Sequence, residues 1–216
     1  TSAAMSASLG DWGGIIVRKD STQSSLKYCL VQYAETGVSF YTHDEVGGGM
    51  LSGTVANCTL QHNVRGIHAS PRPDYPNGDT ITIDVTIANN RIVSNTWGLE
   101  LSVSIGYKTG RIYAAVQNNT IQGNETGMRI RGNTWWIGHA DLYPEVVNNT
   151  FRDNTTYSLE IMTAGSSDGS GADSDVRPTV ENNLFDSVAV TTTPHIRLYM
   201  DPNYNDGIKI LSPVIR

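Results

Sequence analysis

A repeat of about 30 residues constrains the fold of this chain more than any other feature. The recurring pattern is an apolar residue, any residue, Asn, Asn or Cys, any residue and an apolar residue, followed by a further Asn, a Gly and alternating apolar residues. The copies read VANCTLQHNVRGIHA from Val55, IANNRIVSNTWGLEL from Ile87, VQNNTIQGNETGMRI from Val116, VVNNTFRDNTTYSLEI from Val146 and VENNLF from Val180. LKYCLVQYAETGVSF, from Leu26, keeps the apolar frame and the Gly without the Asn.

The spacing and the local pattern predict stacked β-strands. The first apolar residues of successive copies lie 29, 32, 29, 30 and 34 residues apart. After each Gly, apolar and polar residues alternate, as at Leu99 and Leu101, which predicts half-buried strands. Such short units cannot bury their inner faces alone, so copies must stack. The sequence therefore predicts an all-β fold, a single-stranded right-handed parallel β-helix (solenoid) of about six to seven coils.

One repeat position predicts a ladder of polar side chains inside the stack. Asn tolerates the left-handed backbone of a sharp corner, and stacked amides can hydrogen-bond along the axis. Asn124 is expected to lie outside this ladder, so replacing Asn119 should destabilise the fold more. The two cysteines fall in register on adjacent coils, within the range that a disulfide permits, so we expect either a disulfide or two stacked thiols. The ladder positions are Cys29, Cys58, Asn90, Asn119, Asn149 and Asn183.

The sequence also resembles a known group of proteins. The runs DWGGIIV and SSLKYCLVQYAETGV, and the repeated N-N-T-I/F with a following Asn and Gly, resemble extracellular right-handed parallel β-helix repeat proteins of the pectin-lyase-like superfamily. The resemblance covers residues 12–200. It implies one domain over residues 1–216, with 1–11 as a flexible or N-terminal edge segment, 12–200 as repeat coils and 201–216 as a C-terminal edge strand. It assigns no activity, because the superfamily includes both enzymes and non-catalytic surface domains.

The strand after each Gly should present one residue per coil on a long outward face. In polysaccharide-processing relatives that face holds the cleft, where a carboxylate acts as acid or base and a basic residue neutralises a uronate. The alternative is that opposite charges on adjacent coils only stabilise strand pairing. The motifs of polygalacturonases and pectate lyases are missing, so no residue is assigned a catalytic role. The candidate residues on this face are His68, Glu100, Arg129, Glu160 and Arg197, preceded by Ser39.

A second candidate site is the segment GNTWWIGHADLYPE between Arg131 and Val146. Aromatic rings stack on the apolar faces of sugars, so this segment could form a carbohydrate platform. The alternative is that a Trp packs over the flank of the solenoid. The candidate residues are Trp135, Trp136, His139 and Tyr143.

Charge and composition exclude several partners. Fifteen Lys and Arg against 21 Asp and Glu give a net charge of −6. This charge opposes binding to nucleic acid and to anionic membranes. No apolar run is long enough for a transmembrane helix, so we expect no membrane insertion. The two cysteines lack the spacing of a zinc site, and we expect neither a metal nor another cofactor.

Two functions follow as hypotheses. The first is a non-catalytic structural or adhesive module outside the cell or on its surface. Neither end of the solenoid looks capped, so either the module assembles head to tail into a filament or other parts of a longer polypeptide cover its ends. Its partners would be further copies of itself and an extracellular polysaccharide. The second is a polysaccharide lyase or glycoside hydrolase, or a carbohydrate-binding fragment of one.

Overall fold

A computed structural model describes residues 7–18, 23–42, 48–71, 80–135, 137–164, 172–187, 195–200, 209–211 and 214–215. The described residues form 23 β-strands. In this part of the chain, no helix is long and apolar enough to cross a membrane. The strands are β1 (Trp12–Val17), β2 (Ser24–Lys27), β3 (Leu30–Gln32), β4 (Ala34–Tyr41), β5 (Gly49–Ala56), β6 (Thr59–Gln61), β7 (Arg65–Ser70), β8 (Ile81–Ala88), β9 (Arg91–Val93), β10 (Trp97–Ile105), β11 (Thr109–Gln117), β12 (Thr120–Gln122), β13 (Thr126–Thr134), β14 (His139–Leu142), β15 (Glu145–Val147), β16 (Thr150–Arg152), β17 (Tyr157–Ala164), β18 (Asp173–Val176), β19 (Thr179–Glu181), β20 (Leu184–Asp186), β21 (Ile196–Met200), β22 (Lys209–Leu211) and β23 (Val214–Ile215).

These strands form three parallel sheets, which are the three faces of one solenoid. Sheet A has the order β1-β4-β7-β10-β13-β17-β21. Sheet B has the order β2-β5-β8-β11-β14-β18-β22 and also contains β15, β19 and β23. Sheet C has the order β3-β6-β9-β12-β16-β20, so about five turns separate its first strand from its last. The predicted all-β solenoid with a period of about 30 residues is confirmed.

The core consists of apolar columns, one residue per coil. Val55 pairs with Leu26 on one side and with Ile87 on the other, which is the alignment of the repeat. The rings of Phe151 and Phe185 stack with centroids 4.9 Å apart at the C-terminal end of another column. Each fully buried side chain of this kind contributes about 1.5 to 3 kcal/mol. The buried columns include Val55, Ile87, Val116, Val146 and Val180 in sheet B, Leu60, Ile92, Ile121 and Phe151 in sheet C, and Ile67, Leu99, Met128 and Leu159 in sheet A.

The two adjacent Asn residues of each repeat have different tasks. The first takes a positive φ, as Asn118 does at 57°, and so turns the corner from sheet B to sheet C. The second points inward and joins a ladder. Asn119 Nδ2 donates to Asn149 Oδ1 at 2.9 Å and to the backbone oxygen of Ile87 at 2.8 Å. The same contacts link Asn90 to Asn119 and Asn149 to Asn183.

A second ladder runs along the corner between sheets C and A. Asn63, Asn95, Asn124 and Asn154 are bonded in series, with Asn124 Nδ2 donating to Asn154 Oδ1 at 3.0 Å and to the backbone oxygen of Ile92 at 3.1 Å. The expectation that Asn124 lies outside an internal ladder is therefore wrong, since its side chain is 0% exposed. The Asn before each Gly has the same function at this corner as the second Asn has at the other.

The cysteines occupy the first ladder in place of Asn. The backbone N of Cys29 lies 3.5 Å from Cys58 Sγ, and Cys58 Sγ lies 3.6 Å from the backbone oxygen of Leu26. The thiol of Cys58 thus accepts a hydrogen bond from the backbone N–H of Cys29 and donates one to the backbone oxygen of Leu26, in the position that an Asn amide occupies in later coils. Both residues are free thiols in the structure, and the disulfide stays a prediction for the oxidised protein.

Each of the three sheets has an edge strand at both ends of the solenoid. β1 begins at Trp12 and is the N-terminal edge of sheet A. At the C-terminal end, β22 pairs with β18 and β23 pairs with β19, so both extend sheet B within the segment 201–216 that we expected to form the C-terminal edge strand. Residues 1–6 and 201–208 lie outside the described part of the chain.

Candidate functional site on the outer face of sheet A

The predicted charged residues form one continuous row across sheet A. His68 pairs with Ser39 and with Glu100, and Arg129 pairs with Glu100 and with Glu160. Arg197 continues the row beside Glu160. The structure therefore brings together all five residues that the sequence placed on this face.

Glu100 lies at the centre of a cluster of basic side chains. Its Oε2 is 3.0 Å from Arg65 Nε and 3.9 Å from His68 Nε2, and its Oε1 is 4.0 Å from Arg129 Nη1. We expected this row to be exposed, but Glu100 is only 7% exposed. The reason is that basic side chains from the neighbouring coils lie against it.

Glu160 is more completely enclosed. Its Oε2 accepts from Arg129 Nε at 2.5 Å and its Oε1 accepts from Arg197 Nη1 at 3.1 Å. The residue is 2% exposed. Both carboxylate oxygens are therefore occupied by guanidinium groups. A carboxylate that serves as catalytic acid or base must instead direct an oxygen at the substrate.

Aromatic rings separate the arginines on this face. The guanidinium carbons of Arg65 and Arg129 lie 4.4 Å and 5.0 Å from the centroid of the Trp97 ring, one from each neighbouring coil. Arg197 lies 5.2 Å from the ring of Tyr157 and 4.9 Å from that of Tyr199. These cation–π contacts hold the arginines in place beside the carboxylates.

The sequence analysis missed Arg65 and Trp97 because strict alternation places them inside. Strand pairing between β10 and β13 joins Trp97 to Thr126 and Leu99 to Met128, and it skips Gly98. A Cβ at Gly98 would lie 2.4 Å from the backbone oxygen of Gly127, so only Gly permits this approach. The glycine therefore interrupts the alternation, and the residue before it points outward as well. Arg65 and Trp97 each come directly before the Gly of their repeat copy. This shared position is the sequence signal that could have identified them as outward-facing residues.

His68 is a neutral hydrogen-bonding group in this cluster. Its Nε2 lies 3.1 Å from Ser102 Oγ. Burial lowers the pKa of His68 below its usual 6.5; the carboxylate of Glu100 opposes this shift, and the guanidinium of Arg65 adds to it. The imidazole therefore carries no charge at neutral pH, and it offers a hydrogen bond rather than an ion pair.

A polar groove of about 610 Å³ lies on this face. Its wall includes the charged side chains of Glu35, Arg65 and Glu100 together with His68, and one apolar side chain, Ile16. Six of its twelve lining residues carry a hydroxyl group, namely Thr36, Ser39, Tyr41, Ser70, Ser102 and Ser104. The remaining lining residue is Gly13. We call this feature the sheet A groove.

The residues of the predicted aromatic platform lie in different places: Trp135 follows β13 of sheet A, His139 begins β14 of sheet B, and Tyr143 follows β14. Trp135 lies so close to Gly106 that a Cβ there would meet the indole Nε1. His139 Nδ1 lies 3.3 Å from Asp173 Oδ2. The ring of Tyr143 faces Tyr113, with centroids 5.8 Å apart. Trp136 lies outside the described residues.

The comparisons with known proteins give no relative. No family model, curated protein or solved structure matches this chain. Among the described residues, no group of three or more His, Cys, Asp or Glu side chains is arranged to hold a metal ion. The geometry of the groove is thus the basis for assigning a function.

Proposed function

We propose that this chain is a non-catalytic β-solenoid module that binds a neutral glycan outside the cell, in the sheet A groove. The observation that carries the proposal is the lining of the groove, in which six of twelve residues are hydroxyl-bearing. Hydroxyl groups donate and accept hydrogen bonds, as the hydroxyl groups of a sugar do. Ile16, which is exposed, offers an apolar contact for the face of a sugar ring.

The charge of the groove favours a neutral ligand. Glu35 and Glu100 contribute two negative charges and Arg65 one positive charge, and Arg129 lies against Glu100 from the adjacent coil. The residues that line the groove therefore carry a net charge of about −1, with His68 neutral. A polyuronate or a nucleic acid would find no surplus of positive charge here.

The contacts of Glu100 and Glu160 with arginines support binding without catalysis. Glu160 has both oxygens engaged by arginines, and Glu100 lies between Arg65 and Arg129. Removing either arginine contact during a reaction would leave a buried charge unpaired, which is costly. The resemblance to pectin-lyase-like β-helices supports a location outside the cell and kinship with that superfamily. A lyase or hydrolase remains the alternative.

Calorimetric titration with neutral oligosaccharides and with oligogalacturonates tests the proposal. We expect at least one neutral oligosaccharide to bind, and Ser104→Phe, which fills the groove, to weaken binding more than about tenfold. Thr59→Phe, on the outer face of sheet C, is the matched control and should bind as the wild type does. Binding that Ser104→Phe leaves unchanged would contradict the site, and a preference for oligogalacturonates would contradict its chemistry.

Head-to-tail assembly is a second proposal that rests on sheet C. Its two edge strands, β3 and β20, carry Leu30 and Leu184, which are 60% and 57% exposed. The inner strands carry Thr59, Arg91, Thr120 and Thr150 at the same position. An exposed apolar edge strand is a template for a further chain. Light scattering should show association that Leu30→Lys abolishes, and a wild-type protein that stays monomeric at every concentration would contradict assembly.

A further inference from the structure

The outer face of sheet B carries a small cleft that is separate from the sheet A groove. Its volume is about 190 Å³, and its lining residues are Asp84, Tyr113, Ala114, Ala115, Tyr143 and Glu145. We propose that this cleft, hereafter the sheet B cleft, binds the ammonium group of an organic cation. The inference does not depend on the proposed glycan site, because the two sites share no residue.

The repeat itself builds the cleft. Asp84, Tyr113 and Tyr143 each lie three residues before the first apolar residue of their copy, so they occupy adjacent coils at the same position. Two residues further along, Ala115 pairs with Glu145. Because Ala115 has only a methyl group where a longer side chain could stand, a space remains between the tyrosines and Glu145.

Two tyrosine rings form the aromatic wall. Their centroids are 5.8 Å apart and their planes are inclined by 34°. The hydroxyl of Tyr143 donates to Asp175 Oδ2 at 2.9 Å, which fixes that ring. Burial and this hydrogen bond raise the pKa of Tyr143, so the ring stays uncharged. Tyr113 is 42% exposed and offers its ring to a ligand.

The carboxylates supply charge that the protein does not neutralise. Asp84 and Glu145 are both exposed. Among the residues that the structure describes, no ion pair or hydrogen bond involves either side chain. The cation Arg111, two residues before Tyr113, is occupied by Asp141 at 2.8 Å. The cleft thus presents two negative charges.

Aromatic faces and unpaired carboxylates attract the same kind of ligand. The negative face of a tyrosine ring attracts a cation, and this attraction is the basis on which aromatic cages recognise quaternary ammonium groups. Two unpaired carboxylates add a Coulomb attraction that a neutral sugar could not use. The small volume suits an ammonium group on a small molecule, on an amino sugar or on a lysine side chain.

Titration of the full chain with tetramethylammonium chloride, followed by the amide NMR shifts of Ala115 and Glu145, tests the proposal. Sodium chloride at equal ionic strength is the control for non-specific salt effects. We expect saturable shifts with tetramethylammonium and none with sodium. Ala115→Leu should abolish them because it fills the cleft and leaves every charge in place. The double variant Asp84→Asn/Glu145→Gln should weaken binding by about tenfold or more, because it removes both charges and keeps the shape.

Two controls keep the result interpretable. Thr59→Leu adds a side chain of similar size on sheet C and should bind as the wild type does. Thermal unfolding of each variant verifies that it is folded. Unchanged binding by Ala115→Leu would overturn the site. Saturation by a neutral sugar such as glucose, with no response to tetramethylammonium, would overturn the choice of ligand.

Discussion

Asn119 Oδ1 accepts two hydrogen bonds from Asn90, one from the backbone N at 2.9 Å and one from Nδ2 at 3.0 Å. Asn119 then makes the same two bonds to Asn149. The amide nitrogen of Asn119 also donates to the backbone oxygen of Ile87, so its side chain donates to both neighbouring coils, accepts from one of them, and is fully satisfied. This geometry links successive coils at their corners without an apolar contact.

The two ladders predict that replacing Asn119 and replacing Asn124 destabilise the fold equally. Asn119→Ala and Asn124→Ala should each lower the free energy of unfolding by about 2 to 3 kcal/mol, because each leaves buried donors and acceptors without partners. Chemical denaturation monitored by circular dichroism measures this change. Asn118→Gly is the matched control, since Asn118 is exposed with φ 57° and glycine adopts that conformation freely. If Asn118→Gly is destabilised as much as the two ladder variants, the different roles assigned to the corner Asn and the ladder Asn are contradicted.

The two thiols should differ in reactivity. Cys58 is 2% exposed, and burial raises the pKa of its thiol, so maleimide should label Cys29 first in the native protein. Cys29→Ala should remove the fast phase. Denatured protein without reductant should take up two labels. If labels appear only after a reductant is added, the two cysteines form the disulfide.

Glu160 should contribute far more to stability than the half-buried carboxylate of Asp141, which pairs with one partly exposed arginine. Glu160→Gln removes the buried carboxylate that Arg129 and Arg197 share, leaves Arg129 only its 4.0 Å contact with Glu100, and should cost about 3 kcal/mol. Asp141→Asn removes the partner of Arg111, whose side chain is 43% exposed, and should cost about 0.5 kcal/mol. Urea unfolding of both variants makes the comparison. Similar losses would show that the Glu160 cluster is not a stabilising centre.

The stability of the protein should fall on acidification in a way that depends on His68. The folded state holds the pKa of His68 below 6.5, whereas the unfolded chain takes up a proton near that pH. As the pH falls through 6.5, proton uptake therefore favours the unfolded state, and stability is lost down to the lowered pKa. Melting temperatures measured from pH 7.5 to 5 should fall less steeply for His68→Gln. If the melting temperatures of the wild type and of His68→Gln fall equally with pH, the conclusion that His68 is buried and neutral is contradicted.

The sequence predicted the solenoid and the charged row because both follow from a single alignment. Glu100 and Arg129 each lie two residues after the Gly of their copy, Gly98 and Gly127, and counting from these glycines gives the register of Glu100 against Arg129. The second ladder was missed at Asn124, although an Asn recurs at this position in four copies, as Asn63, Asn95, Asn124 and Asn154. The pattern was visible, but only the corner that contains two adjacent Asn residues was interpreted as internal.

The sites required information that a repeat alignment does not contain. The groove exists because several hydroxyl-bearing side chains from different coils meet above sheet A, and the bend at each Gly brings Arg65 and Trp97 to the same face. The meeting of Tyr113 and Tyr143 depends on residues upstream of the consensus. Extending the alignment by three residues would have placed them on adjacent coils.

The central claim is that the sheet A groove binds a glycan without cleaving it. Mass spectrometry of a bound neutral oligosaccharide, recovered after prolonged incubation with an excess of protein, tests this claim most directly. The account predicts that the oligosaccharide is recovered at its original mass, with no new reducing end and no unsaturated product. Shorter or unsaturated products that appear with the wild type and are lost with Glu100→Gln would contradict it, and would identify the chain as an enzyme.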